Sequence, residues 1–221
     1  MCIAWCIWKN RNAAKFEGKT KQVKVIVFEA NALVEEFKEQ VDALRQSAPP
    51  RIVGLTPPGE GWYKVNVDGA VFKESGSCGI GIVIRNKRGQ IIGVMSKKMN
   101  LPLGALEVEA KAFEEGILLA GDLGLKDIVL EGDAKVVTDA LVGCYSPLSS
   151  IQMINEGFQR WKFNVHALKV NYVCRTGNIA TCLMARNAKF VDDSVVWVEG
   201  TPPIIECQLI KDVTGLDFCP S

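Results

Sequence analysis

The feature that most constrains this 221-residue chain is an order of patterns. Three stretches of β-forming residues, at 62–69, 77–85 and 90–96, follow one another across short glycine-containing connections. Beyond residue 105 the pattern changes to alternating helix and strand. The first stretch, Trp62-Tyr63-Lys64-Val65-Asn66-Val67-Asp68-Gly69-Ala70, sets Tyr63, Val65 and Val67 on one face. Lys64, Asn66 and Asp68 take the other, because side chains alternate along a strand. Asn86-Lys87-Arg88-Gly89 joins the second stretch to the third and is short enough to favour antiparallel hairpins. Glycines at 79, 81 and 93 permit bulges or close approach of another backbone.

Residues 106–123 carry Val108, Ala112, Phe113, Leu119 and Ala120 in helical order and stop at Gly124. A short strand, Ile128-Val129-Leu130-Glu131, comes next. Asp133 is the natural N-cap of a helix over 133–141. Residues 149–161 read as a helix, 165–173 as a strand and 176–190 as a helix. The order βββαβαβα predicts an α/β domain whose mixed sheet has three antiparallel strands, then parallel ones, flanked by helices.

Three segments are expected. Residues 1–56 form a helical arm and proline-rich linker. Trp5, Trp8 and Phe16 lie among Lys9, Arg11, Lys15, Lys19, Lys21 and Lys24, and Phe28, Ala32, Leu33, Phe37, Val41 and Leu44 recur at helical spacing. Such an arm packs on a partner or touches a nucleic-acid backbone. Ser47-Ala48-Pro49-Pro50 and Thr56-Pro57-Pro58-Gly59 break it, so the main domain is placed at 57–191. In residues 192–221 one lysine, Lys211, stands against Asp192, Asp193, Glu199, Glu206, Asp212 and Asp217. This reads as a poorly packed acidic tail, with a strand at 195–198.

Several function classes are set aside. No apolar run approaches the ~18 residues of a membrane span. The apolar start at residues 1–8 lacks the flanks of a signal peptide. Net charge is +1, so a nucleic-acid partner must be argued from a site rather than from bulk charge. The eight cysteines form no C-x-x-C pair and His166 is the one histidine, which disfavours zinc. Reduced, partly buried thiols in an intracellular protein, nuclear or cytoplasmic, are expected.

Asp68, Glu109 and Asp133 remain. A helical crossover lets the first and fourth strands lie parallel and adjacent. Asp68 and Asp133 then fall at the C-terminal ends of their strand cores, where open α/β sheets bind ligands. Glu109 lies in the first turns of the crossover helix. Three converging carboxylates repel one another unless a cation sits among them, and hard oxygen ligands select Mg2+ or Mn2+. Each acid also has a structural reading: Asp133 as a cap, Glu109 as a surface residue favoured near a helix start, and Asp68 as a turn partner of Gly69.

The domain resembles a type-1 ribonuclease H. It is most similar to the plant reverse-transcriptase-like ribonuclease H proteins derived from non-LTR retroelements. Four motifs carry the likeness: Pro-Pro-x-x-Gly-Trp-x-Lys-x-Asn-x-Asp-Gly-Ala at 57–70, Val-Glu-Ala-Lys-Ala-Phe-Glu-Glu-Gly-Ile at 108–117, Glu-Gly-Asp at 131–133 and Arg-Thr-Gly-Asn-Ile-Ala at 175–180. Trp5-x-x-Trp8-x-x-Arg11-Asn12 resembles the segment that precedes the domain in those proteins. The resemblance implies a five-stranded ribonuclease H-like sheet and cleavage of the RNA strand of RNA–DNA hybrids. It also implies Mg2+ held by Asp68, Glu109 and Asp133. The family run Asn-x-x-Ala-Asp in the last helix supplies a fourth acid, and Thr181 is read as standing in its place. Where bacterial-type members have a histidine before that helix, this chain has Cys174 and Arg175. His166 is read as structural. No polymerase or zinc-binding segment precedes the domain, which reads as detached.

Two functions follow as expectations. One is a metal-dependent endoribonuclease acting on hybrids, weakened at the fourth position, with Lys64, Asn66, Lys97, Lys98 and Lys111 as candidate backbone contacts. The alternative is an inactive, domesticated module that binds nucleic acid, or a protein partner through residues 1–46.

Overall fold

The structure is a computed structural model that describes residues 56–144 and 146–214, together with Asn10, Arg11, Lys15, Val23 and Val25, which are helical. The expectations for the aromatic residues of the arm, the helix over 26–46 and the first breaker lie outside the described residues. The chain divides into two units, Met1–Ile52 and Val53–Ser221.

In the second unit, β1 (Tyr63–Phe72), β2 (Ser77–Arg85) and β3 (Ile91–Met99) pair as an antiparallel meander. The second turn is stitched by Asn86, whose Oδ1 accepts from the N–H of Arg88 at 2.9 Å and of Gln90 at 3.1 Å. An asparagine side chain replaces a turn hydrogen bond in this way. α1 (Ala105–Asp122) leads to β4 (Asp127–Gly132), which pairs parallel with β1. α2 (Lys135–Leu141) and α3 (Gln152–Trp161) lead to β5 (Ala167–Tyr172), parallel to β4, and α4 (Ile179–Asn187) follows.

The sheet has six strands, in the order β5-β4-β1-β2-β3-β6, where five were expected. The sixth is β6 (Ser194–Val198), antiparallel to β3, and α5 (Pro203–Thr214) follows it. This corrects the reading of a poorly packed tail. Ile205 of α5 is fully buried in a cluster with Val83, Val94, Ala180 and Met184. Asp212 meets the Arg85 guanidinium at 3.1 Å. High acid content reads as a solvated segment, but one of those acids is the counterion of a buried arginine.

Helices on both faces explain why β2 is buried along its whole length. Towards α1, Val65, Val67, Ile80, Ile82 and Ile84 pack in one cluster with Phe113, Ile117 and Ala120. Each fully buried side chain of this size contributes roughly 1.5–3 kcal/mol. Towards α4 there is no room for side chains at two positions of β2. A methyl group on Gly79 would lie 2.2 Å from the Ala185 carbonyl oxygen, and one on Gly81 would lie 2.2 Å from that of Thr181. The glycines therefore mark the place where helix backbone rests directly on the sheet.

Candidate metal centre

The parallel register of β1 and β4 brings two acids together. The last paired positions are Asn66 and Glu131. Asp68 and Asp133 each lie two residues further on, so they sit at the same level and side by side, with strands ~4.8 Å apart. Asp133 is free of the capping role expected for it: the N-cap of α2 is Ala134, with no side-chain cap. Glu109 arrives from α1 because position 69 is a glycine. A methyl group there would lie 2.9 Å from the Val108 carbonyl carbon and 3.0 Å from the Glu109 nitrogen. The first turns of α1 thus rest on β1 immediately beside Asp68.

One carboxylate oxygen from each of Asp68, Glu109 and Asp133 falls in a set whose members all lie within 4.8 Å of one another. Asp68 is 3 % exposed, and its Oδ1 accepts from the Gly69 N–H at 3.0 Å. Glu109 Oε2 is buried without a hydrogen-bond partner. Burial, and then the charges of the other two acids, raise the Glu109 carboxyl to about 9. Burial and the charge of Asp133 raise Asp68 to about 6. Burying like charges without compensation is costly. An orphaned oxygen and two acids held above their ordinary range are features that a bound cation would relieve. The donor set is all hard oxygen and fits Mg2+ or Mn2+.

The fourth position needs correction. Thr181 is fully buried, its hydroxyl has no hydrogen-bond partner, and its carbonyl lies over Gly81. The next residue, Cys182, is the one on the side of Asp68: burial, and then the negative charge of Asp68, push its thiol up to about 11. The five-residue run that starts at Asn178 ends on Cys182. One residue along a helix turns the side chain by ~100°, which separates facing the sheet from facing the acids. Counting the run to its fifth member would have found it.

The candidate backbone contacts divide. Lys64 and Asn66 are 6 % and 0 % exposed, so they are withdrawn. Lys64 pairs with Glu131 at 3.0 Å, and Asn66 Nδ2 donates to the same carboxylate at 3.3 Å. The alternation that defined a polar face did not reveal that α4 packs against β1 on it. Lys97 and Lys111 are engaged with Glu115 at 2.8 Å and Glu114 at 2.5 Å. Lys98 is partly exposed. Arg175, noted only as a departure, lies beside the acids: its Nε is 3.6 Å from Asp133 Oδ2, and its side chain is 80 % exposed. His166 is 2.8 Å from Asp127, at the opposite end of β4 from Asp133.

Gly69→Ala tests this construction. The added methyl must displace helix backbone rather than a flexible side chain, so α1 backs away from Asp68. The expected result is a loss of about 1–3 kcal/mol in stability. Mn2+ affinity, measured by calorimetry, is expected to fall by at least about tenfold.

Comparison with known proteins gives three findings. A family model described as reverse transcriptase-like matches residues 66–188. A protein of Arabidopsis thaliana provisionally named a ribonuclease H protein is 27% identical over 163 residues, which is 71% of this chain and 26% of that protein. The chain thus spans about a quarter of that relative's length. Among solved structures, ribonuclease H1 of Halobacterium salinarum superposes with a TM-score of 0.55 at 20% identity, over 58% of this chain and 98% of that one. A ribonuclease H1 isolated from compost, solved in complex with an RNA/DNA hybrid, gives 0.52 at 16% identity, over 57% and 94%. The sheet and its helices have the ribonuclease H fold.

Proposed function

Since the chain belongs to the reverse transcriptase-like family, we propose that Asp68, Glu109 and Asp133 hold a divalent ion, Mg2+ or Mn2+, and that the protein hydrolyses the RNA strand of RNA–DNA hybrids. The observation that carries this reading is the set of three carboxylate oxygens within 4.8 Å, supplied by β1, α1 and the end of β4. A bound divalent ion supplies positive charge to a phosphate and lowers the pKa of a water.

The chain's own residues provide the frame. Asp68 is fixed by the Gly69 N–H, and Asn178 anchors the start of α4 by donating from Nδ2 to the Val67 carbonyl at 2.8 Å. Arg175 presents an exposed guanidinium beside Asp133, placed to meet a backbone phosphate. Substrate choice rests on duplex shape and 2′-hydroxyls rather than on base sequence.

The test is cleavage of a labelled hybrid in Mg2+ and in Mn2+. Asp68→Asn is expected to lower the rate by at least about 100-fold, beyond what loss of an outer partner of a metal site brings. Equal rates for the two proteins defeat the reading. A second reading, a module that binds hybrid without cutting it, is favoured by the thiol at Cys182 in place of a fourth acid. It predicts retained hybrid binding with no metal-dependent cleavage in either protein.

A further inference from the structure

The sheet ends on an open edge at β6, and register fixes which backbone groups that edge presents. The Lys98 N–H donates to the Asp193 carbonyl at 2.6 Å, and the Glu199 N–H donates to the Ile92 carbonyl at 3.1 Å. Backbone groups alternate in direction along an antiparallel strand. The odd-numbered residues of 193–199 therefore point at β3. The N–H and C=O groups of Ser194, Val196 and Val198 point the other way, where the sheet has no further strand. Among the described residues no backbone hydrogen bond from a turn or loop reaches them.

An edge of this kind is ordinarily guarded by a charge, a proline or a bulge. β5, at the opposite edge, carries the exposed Lys169 within its span. β6 reads Ser194-Val195-Val196-Trp197-Val198, pairs with β3 without a register shift and has none of these devices. Val196 and Val198 are 44 % and 58 % exposed. The charges lie just outside the strand: Asp192 and Asp193 before it and Glu199 after it, all three exposed.

We propose that β6 is a docking edge that takes an extended segment of another protein, apolar in its middle and basic at both ends, as a further strand. Main-chain hydrogen bonds to Ser194, Val196 and Val198 supply the attachment, and alternate side chains of the guest lie beside Val196 and Val198. The flanking acids choose the occupant. A second copy pairing antiparallel about Val196 would set Asp193 opposite Glu199 at both ends, and directly opposed like charges destabilise a strand pair. Lysine or arginine at those two places turns both repulsions into attractions. β2 and β3 separate β6 from β1, so docking here is independent of the three acids.

The full chain is titrated against the fluorescently labelled peptide Lys-Val-Thr-Val-Thr-Val-Lys and its counterpart with glutamate at both ends, with anisotropy as the readout. Wild type is expected to bind the lysine peptide at least about fivefold more tightly, since attraction replaces repulsion at two cross-strand pairs. Asp193→Lys combined with Glu199→Lys is expected to reverse that order. Val196→Pro removes one outward N–H and no bond to β3, a change that edge strands tolerate, and is expected to weaken binding by about tenfold. A lysine peptide N-methylated at every central amide is expected not to bind, and it decides the matter if Val196→Pro does not fold. Hydrogen exchange is expected to slow at the Ser194, Val196 and Val198 amides when the peptide binds. The proposal is overturned if neither peptide binds, if both bind wild type equally, if the N-methylated peptide binds as well as the parent, or if protection falls elsewhere. A wild-type dimer in sedimentation that Val196→Pro dissolves and the lysine peptide does not disperse makes a second copy the occupant and also overturns it.

Discussion

In metal-free buffer the folded protein loses stability as the pH is raised from about 5 to about 9, and Glu109→Gln removes most of that loss. The sign follows from proton binding. The Glu109 carboxyl is raised from 4.5 to about 9 and Asp68 from 3.8 to about 6, in both cases by burial first and neighbouring negative charge second. Between the ordinary and the raised values the folded form holds protons that the unfolded chain has released. Stability therefore falls with rising pH across that window. The slope is up to about 1.4 kcal/mol per pH unit while one proton separates the two states. Below the ordinary values both states are protonated and the effect vanishes. Denaturant midpoints at several pH values measure it. Mn2+ is expected to reverse the trend, since ligation requires the ionised carboxylates and tightens as the pH rises. It also stabilises the form that binds it. A flat profile for the metal-free wild type would show that burial does not hold the Asp68 and Glu109 carboxyls above their ordinary range.

Gly81→Ala is expected to be the most damaging single-methyl change in the domain, at about 3 kcal/mol or more, the upper end for overpacking. The new methyl would lie 2.2 Å from the Thr181 oxygen and 2.3 Å from the Ala185 nitrogen. Both are helix backbone, so no rotamer change relieves the contact, and α4 must lift from β2. Val83, Val94 and Met184 pack where the helix and sheet meet. Their contacts loosen. The same substitution at Gly121, on the outer part of α1, meets nothing within 4 Å and is expected to cost little or to stabilise slightly, as alanine does in helices. Thermal melts of the two variants are expected to separate widely. A small effect at Gly81 would contradict the close contact of helix and sheet.

The element order was legible because each element carries its own period. Residues 62–99 alternate or run apolar between short turns, and 105–122 repeat as a helix. The three acids were legible because neither a strand core nor a buried helix start requires a carboxylate. Three features were less visible. Thr181 and Cys182 differ by one step along a helix, so stopping the run from Asn178 one residue short picks the wrong one. Lys64 and Asn66 look like a solvent face, because the alternation of β1 cannot register a helix that arrives more than a hundred residues later. The segment after 191 reads as a poorly packed acidic tail with a strand at 195–198; that strand is β6, and what the acid content hid is α5, which needs only a few apolar residues and the Arg85–Asp212 pair.

The amino-acid sequence alone determined the mixed α/β architecture, the family resemblance and the identity of the three acids, because those properties are written in local periodicity and residue type. The tertiary structure decided which groups share a space. It set Asp68 level with Asp133 through parallel register, and Glu109 beside them through the contact at Gly69. Register, close approach and helix rotation are relations between segments distant in the chain, and the pattern within any one segment does not encode them.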